Sequence, residues 1–432
     1  MKRIWNSKFN EEGNLWQDER KYLVLEGRSE TLEDRSDKHI IIISHTDLDG
    51  VTSALNMMHY CELMKTDYTV YMEKTSREDE TSAIAKYAVT RLLEEAKANP
   101  YLEIEVVITD RMFLNLKTFN YSDYPSNVYF TWHDHHSGNV RTEEEIKAVI
   151  GQDRLADYSV ITDIHHCGAT LSFEACCKRL LEHGELPDYQ LYDRDLKAWS
   201  YNVNLWDTFQ WKQLYDENAP EYHKGKKMGT VDKVYDDYVD VFKTLVEFID
   251  SGVSLNSDEV NNWVEDCNNK YQSMLLEAYI KAKESSLGGM VTYYKKPANP
   301  TDKPSEVLFT IALIPTEWKF ASNIKELIVE EFANIDIVIT FHKTGGTVYT
   351  GYHVDNVESP EIARFIGNMY GLSGGGHKNA AGFGCRLDNP LEWLSKEEND
   401  ELGRMCVFSR ICTALDEFIY TRFKEVQIEW KK

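Results

Sequence analysis

The chain has 432 residues, 42% of them hydrophobic and 12% aromatic, a length that one core seldom organises and that suits two globular domains with a connector. Its formal charge of −24 argues against a protein that grips long DNA or RNA, because that mode neutralises many phosphates with a basic surface. There is no run of about 18 apolar residues to span a membrane, residues 1–14 lack the apolar segment of a secretion signal, and the eight cysteines include no CxxC pair, so reduced thiols and a cytoplasmic location are the default expectation.

After a polar N-terminal segment, His39 to Ser44 (HIIIIS) predicts a strand that ends in the acidic turn His45 to Gly50. A helix is expected from Val51, with Ala54, Leu55 and Met58 on one face. Ser82 to Ala98 has helical spacing, and Ile104 to Thr109 and Val128 to Trp132 predict two further strands. These end at Asp110 and at His133-Asp134-His135-His136. The order predicts a parallel sheet in an α/β fold, whose strands deliver polar residues at their C-terminal ends, where such folds place ligands.

Ala169 to Glu182 and Gln190 to Val203 predict two helices, followed by Leu205-Trp206-Asp207-Thr208. Beyond them Val234, Tyr238, Val241, Phe242, Leu245 and Phe248 recur at steps of three and four, and Ser257 to Ser286 reads as a long helix. The expected organisation is a catalytic α/β domain over 1–211, a helical connector over 212–288 and a smaller α/β domain over 289–432. In the last, Val291 to Lys295, Val307 to Ile314, Ile335 to Phe341 and Thr347 to His353 are strand-like, and Asn323 to Phe332 is helical with Ser322 as its cap. The glycine cluster Ser373 to Gly384 follows, and Glu397 to Lys424 reads as a closing helix, a candidate homodimer contact.

The chemistry is concentrated in His45-x-Asp47-x-Asp49-Gly50, Asp110 and Asp134-His135-His136, each directly after an expected strand. One carboxylate at a strand end is usually a cap or turn residue. If the three strands are neighbours, however, these side chains converge on one rim, where several carboxylates stay ionised together only with cations among them. Mixed carboxylate and imidazole donors suit manganese, with magnesium, cobalt or zinc as alternatives, and the cluster lacks the thiolates of a structural zinc site. Two metals are expected, because a pair can activate water and hold the attacked and leaving oxygens of a phosphoester.

The segments SHTDLDGVTSA (44–54), VVITD (106–110) and WHDHHSG (132–138) resemble the first three motifs of the DHH phosphoesterase superfamily. Gly374-Gly375-Gly376-His377 resembles the GGGH motif of its DHHA1 partner domain. The resemblance implies a parallel-sheet DHH domain followed by a smaller DHHA1 domain. It further implies that Asp47 and Asp49 each bind a metal, that Asp110 bridges the two, and that His135 is a ligand. His136 would face the scissile phosphate, with Asp134 supporting the cluster. Asp207, followed by Thr208, best resembles the fourth-motif aspartate, with Asp193 and Asp195 as alternatives. His45 stands two residues before the first aspartate, as in RecJ-like and some oligoribonuclease-like branches, and either binds metal or orients a ligand. His165 and His166 match no such position.

Consecutive glycines let backbone N–H groups approach an anion. The resemblance implies that Gly374, Gly375, Gly376 and His377 hold the non-scissile phosphate. Lys378 and Arg364 are either its partners or solvated surface charges. Relatives acting on short oligonucleotides often carry an arginine on a preceding strand; Val348 to Val354 has none, leaving Tyr352 or His353 to stand in.

The leading functional expectation is metal-dependent hydrolysis of short oligonucleotides, or of linear or cyclic dinucleotides, to mononucleotides in the manner of the nanoRNase branch. The alternatives are a RecJ-like exonuclease on longer single strands, hydrolysis of 3′-phosphoadenosine 5′-phosphate, and a nucleotide-binding module without catalysis.

Overall fold

Ile40, Ile41, Ile42 and Ile43 occupy consecutive positions and are all buried, as in a strand covered on both faces. That strand is the centre of the first sheet. The computed structural model describes residues 2–5, 23–28, 36–73, 91, 94–111, 124–136, 142–163, 165–182, 184, 194–208, 210–213, 218–235, 239–297, 299, 306–332, 334–351, 354, 357–372, 374–384 and 396–431. The chain divides into two units, Met1–Tyr271 and Gln272–Lys432.

The first unit contains β1 (Lys2–Trp5), β2 (Leu23–Arg28), β3 (Lys38–His45), α1 (Leu48–Leu63), β4 (Asp67–Glu73), β5 (Glu103–Thr109), β6 (Val128–Asp134), α2 (Glu143–Ile150), β7 (Leu155–Val160), α3 (Gly168–Glu182) and α4 (Arg194–Asp207). Four shorter helices follow: α5 (Gln210–Gln213), α6 (Pro220–Met228), α7 (Val231–Val234) and α8 (Val239–Asp250). The long helix α9 (Asp258–Glu284) comes next. The strand order is β1-β2-β4-β3-β5-β6-β7. From β4 to β7 the pairing is parallel, and β1 and β2 add an antiparallel edge.

Strand side chains alternate between faces. On one face Ile41, Ile43, Val106, Ile108, Phe130 and Trp132 pack with Ile146 and Ile150 of α2. The opposite face carries a buried polar knot under α3: Arg179 Nη2 donates to Glu105 Oε1 at 2.7 Å and to Thr131 Oγ1 at 2.9 Å. Lys38 Nζ lies 2.9 Å from Glu105 Oε2. Burial alone would neutralise Glu105, but Arg179 and Lys38 outweigh it and hold the carboxyl down at about 2.

The second unit contains β8 (Gly289–Lys295), β9 (Val307–Pro315), α10 (Ala321–Glu331), β10 (Ile337–His342), β11 (Gly345–Thr350), α11 (Ser359–Met369), β12 (Gly374–His377), β13 (Ala380–Gly384), α12 (Lys396–Phe423) and β14 (Val426–Lys431). Its sheet runs β12-β13-β11-β10-β9-β8-β14, with only β9 and β10 parallel among the described pairs. Ile362 and Ile366 of α11, and Ile411, Leu415 and Ile419 of α12, cover it.

The α/β class and the strands expected over 39–44, 104–109 and 128–132 agree with this architecture. Several local expectations are corrected. Helix α1 begins at Leu48, three residues before Val51, because the Asp47 side chain accepts the Gly50 N–H at 3.0 Å and caps it. Asp207 closes α4 instead of following a helix that ends at Val203. Ser322 lies inside α10, and the cap position is Phe320, which makes no side-chain cap bond. The expected helix over 82–98 falls mostly outside the described residues, which include a helical stretch at 94–98. Tyr352 and His353 also fall outside them. Strands β1, β2, β4, β7 and β14 do not follow from the pattern, and the glycine cluster forms two strands, β12 and β13. Among the described residues, no helix is long and apolar enough to cross a membrane.

Candidate functional site

Three neighbouring parallel strands end at one place. Because β3, β5 and β6 are consecutive in the sheet, their C-terminal ends bring His45, Asp110 and Asp134-His135-His136 to a single rim, although these residues lie far apart in the chain. The turns after the strands then fix each side chain.

After β3, Ser44 Oγ donates to the Gly50 carbonyl at 2.7 Å and folds the acidic turn back onto the strand end. Gly50 is required there, since a Cβ would collide with the His45 carbonyl. His45 Nδ1 lies 2.8 Å from Asp47 Oδ2. Burial works against an Asp47 anion, but the interaction with His45 and the Gly50 N–H hold its carboxyl well below the usual carboxylate range.

After β5, Asp110 adopts a left-handed backbone with φ 52°, and its N–H donates to the His133 carbonyl at 2.9 Å. A non-glycine residue in that region is uncommon and costs conformational energy. Here it turns a buried carboxylate into the cluster. Burial, reinforced by Asp49, Asp47, Asp207 and Asp134, pushes the Asp110 carboxyl well above its ordinary range.

After β6, Asp134 Oδ1 accepts the His135 N–H at 2.8 Å and the His136 ring Nδ1–H at 2.8 Å. Asp134 therefore positions both imidazoles. Burial opposes a charged His136, but the hydrogen bond and charge of Asp134 raise it to about 9. His135 Nε2 stands 3.4 Å from Asp49 Oδ2, 3.4 Å from Asp110 Oδ1 and 3.5 Å from Asp207 Oδ2. Burial lowers the His135 pKa, against the attraction of Asp49.

Asp207 reaches this point from the last turn of α4. The alternative Asp195 lies twelve residues earlier on the same helix, about 18 Å away along the axis, and its carboxylate accepts Asn256 Nδ2–H at 3.1 Å. Asp193 lies outside the described residues. Burial and the charges of Asp49 and Asp47 push the Asp207 carboxyl well above its ordinary range.

One contributor lies outside the motifs. The N-terminus of α3 points at the cluster: Gly168 N–H donates to Asp49 Oδ2 at 2.8 Å and Ala169 N–H to Asp49 Oδ1 at 2.7 Å. Two backbone donors and the positive end of a helix dipole thereby fix Asp49. Gly168 also has to be glycine, because a Cβ would fall 2.6 Å from the Asp110 Cβ. The available clue was a glycine at a helix start, Cys167-Gly168-Ala169. His166, next to it, pairs with Asp163 at 2.8 Å.

The donors form three overlapping groups, His45 with Asp47 and Asp110, Asp49 with His135 and Asp207, and Asp110 with His135 and His136, the ligand atoms of each within 4.8 Å of one another. Asp110 Oδ2 is buried with no hydrogen-bond partner among the described residues, a costly condition for a carboxylate unless a cation lies beside it. Oxygen and imidazole donors with an orphaned buried oxygen fit a divalent metal centre. Among them, His45, Asp47, Asp49, Asp110, His135 and Asp207 could supply ligands.

In the second unit, Gly374–His377 is an edge strand paired with β13 on one side. Gly374 packs directly on α11, where a Cβ would collide with the Ala363 carbonyl beside Arg364. A Cβ at Gly375 would meet open space. Arg364 and Lys378 are exposed, and Lys378 Nζ lies 3.9 Å from Glu358 Oε1.

No protein-family model matches the chain, and no curated protein matches it in sequence. Its structure is similar to that of a DHH domain from a protein described as a member of a family of ribosomal proteins, at 12% identity and TM-score 0.53 over 91% of this chain and 88% of that one. RecJ from Thermus thermophilus, in complex with Mn2+, aligns at 14% identity and TM-score 0.42 over 87% of this chain and 52% of that one. The chain thus spans about half the length of that RecJ. An exonuclease RecJ bound to manganese aligns at 13% identity and TM-score 0.43, over 88% of this chain and 92% of that one. The fold is that of the DHH domain.

Proposed function

We propose, for a chain that has the fold of the DHH phosphoesterase superfamily, that it is a manganese-dependent phosphodiesterase releasing mononucleotides from short oligonucleotides or dinucleotides. The observation that carries this reading is the convergence of six metal-ligand residues from three strand ends and one helix end around a buried, unpartnered Asp110 oxygen. Two divalent cations held there would supply Lewis acidity, which activates water and withdraws charge from a phosphoryl group.

The remaining roles belong to the chain itself. His136 is tied through Nδ1 to Asp134 and its side chain is 46% exposed, which suits it to donate to a phosphoryl oxygen of a docked substrate. Asp134, with no exposure to speak of at 1%, keeps that imidazole oriented. The edge strand Gly374–His377 leaves one side of its backbone without a strand partner among the described residues. Those N–H groups, with Arg364 and Lys378 close in sequence or space, favour this strand as the holder of the non-scissile phosphate. The charge of −24 favours a short substrate, whose few phosphates need only local neutralisation.

The test is a panel with Mn2+ under one condition: two-mer to five-mer RNA, a cyclic dinucleotide, a long single strand and 3′-phosphoadenosine 5′-phosphate. The reading expects fastest release of mononucleotides from the shortest substrates. Faster cleavage of the long strand would favour a RecJ-like exonuclease, and no hydrolysis of any substrate would favour a binding module.

A further inference from the structure

Asp232 plays no part in the motifs, lies in the stretch read from sequence as a connector, and yet belongs to the surroundings of the metal centre. It sits in α7 and is 9% exposed, and its Oδ1 is buried with no hydrogen-bond partner among the described residues. A buried carboxylate oxygen without a donor is expensive to desolvate, and native proteins retain few of them without an ion or ordered solvent.

Packing places the backbone of α7 beside the end of α4 that carries Asp207. Residues on both sides of Asp232 rest on Trp206, the neighbour of Asp207: a Cβ at Gly229 would fall inside the indole, and Lys233 Nζ stands 5.6 Å from the ring centroid. Trp206 is itself stacked on Trp211, with centroids 5.7 Å apart and planes inclined by 7°. The end of α4 and the α7 segment are therefore held together as one packed block. Electrostatics agree with that placement. Burial raises the Asp232 carboxyl to about 6, with Lys233 and His45 opposing and Asp47 adding to the rise. Asp232 in turn acts on Asp207.

Charge makes a cation the fitting partner. Asp47, Asp49, Asp110, Asp134 and Asp207 already gather in the cluster with three imidazoles, and the charge of Asp232 adds to theirs. Lys233 is the nearest basic side chain on its own helix, but its ammonium lies over the Trp206 ring. Repulsion among so many carboxylates is relieved when divalent cations lie between them.

We propose that Asp232 is a further residue of the metal centre, its unpartnered Oδ1 accepting from the hydration shell of the cation gathered by His45, Asp47 and Asp110. This rests on the metal-centre reading above, and the orphaned oxygen of Asp232 is the observation that extends it. A supporting carboxylate of this kind typically changes metal affinity by about 10- to 100-fold.

The experiment titrates Mn2+ into the full chain by calorimetry and follows thermal unfolding with and without Mn2+. It compares wild type, Asp232→Asn, Asp232→Ala and the exposed control Asp153→Asn. Wild type and the control are expected to bind alike. Both Asp232 variants should lose about 10- to 100-fold in affinity at one of two sites. The isosteric Asp232→Asn keeps the test valid if alanine prevents folding. Its metal-free form should unfold at or above the wild-type temperature, while its stabilisation by Mn2+ shrinks. A purely structural role would lower both forms equally, and that result overturns the proposal. So does wild-type affinity in both variants. If wild type takes up no Mn2+, the metal-centre reading itself fails and the assignment of Asp232 falls with it.

Discussion

The Gly168→Ala substitution adds one methyl group at a tightly packed point of the site. The new Cβ would lie 2.6 Å from the Asp110 Cβ, 3.0 Å from Ser53 Oγ and 3.1 Å from the Asp110 Cα, where ordinary carbon contacts need about 3.5–4.0 Å. The start of α3 must therefore retreat by about 1 Å. Its two bonds to Asp49, now 2.8 and 2.7 Å, would then exceed the roughly 3.2 Å limit of a good N–H···O bond. Overpacking costs about 1–3 kcal/mol, and a lost hydrogen bond to a charged group adds about 1.5–3 kcal/mol. A net loss on the order of 3 kcal/mol lowers Tm by roughly 6–12 °C if the unit behaves as domains of about 150–250 residues do. The same displacement moves Asp49 and Asp110 relative to His135, and a misplacement of about 1 Å can reduce turnover roughly 100-fold. Calorimetric unfolding and Mn2+-dependent hydrolysis of a dinucleotide measure the two effects. A variant that melts within about 1 °C of wild type and keeps its Mn2+ affinity would refute the claim that α3 positions the cluster.

Two further substitutions test the electrostatics. Asp110 has its carboxyl pKa raised in the folded chain by burial and by the neighbouring aspartates. Its contribution to stability is therefore fully present below the unfolded value and is lost as pH rises through the folded one. In chelator, Asp110→Asn should remove this loss and stabilise the chain at neutral pH relative to wild type, while Mn2+-dependent hydrolysis disappears; urea unfolding against pH, with and without Mn2+, reads both. Glu105 behaves oppositely, being held at about 2 from an ordinary 4.5, so its contribution is present above 4.5 and lost as pH falls through 2. Glu105→Gln leaves buried Arg179 with only the more distant Asp157, at 4.0 Å, and should cost about 3 kcal/mol at neutral pH. The gap from wild type should narrow in acid, and a gap independent of pH would show that the ion pair does not hold the sheet to α3.

The elements legible in the sequence were those whose signal is local. Four consecutive β-branched isoleucines before Ser44 and His45 fit a strand covered on both faces, and the segments before Asp110 and Asp134 repeat the pattern. The elements missed have alternating or mixed patterns. In β4, DYTVYME places polar residues among apolar ones, and β14, VQIEWK, is largely exposed along the edge of its sheet. Their strand character comes from a neighbouring strand that supplies hydrogen bonds. Residue type also gave the wrong cap at Ser322, since a cap is defined by backbone geometry, and there the chain enters α10 through the short turn Trp318–Phe320.

The sequence by itself determined which donors exist, because a histidine or aspartate at a strand end follows from local periodicity and composition. Only the tertiary structure decided how they are held. Asp49 is fixed by backbone N–H groups 119 and 120 residues away, the choice between Asp207 and Asp195 depends on which end of α4 meets the sheet, and Asp232 enters through packing on Trp206. Each of these relations depends on distant segments meeting in three dimensions, which local spacing does not encode.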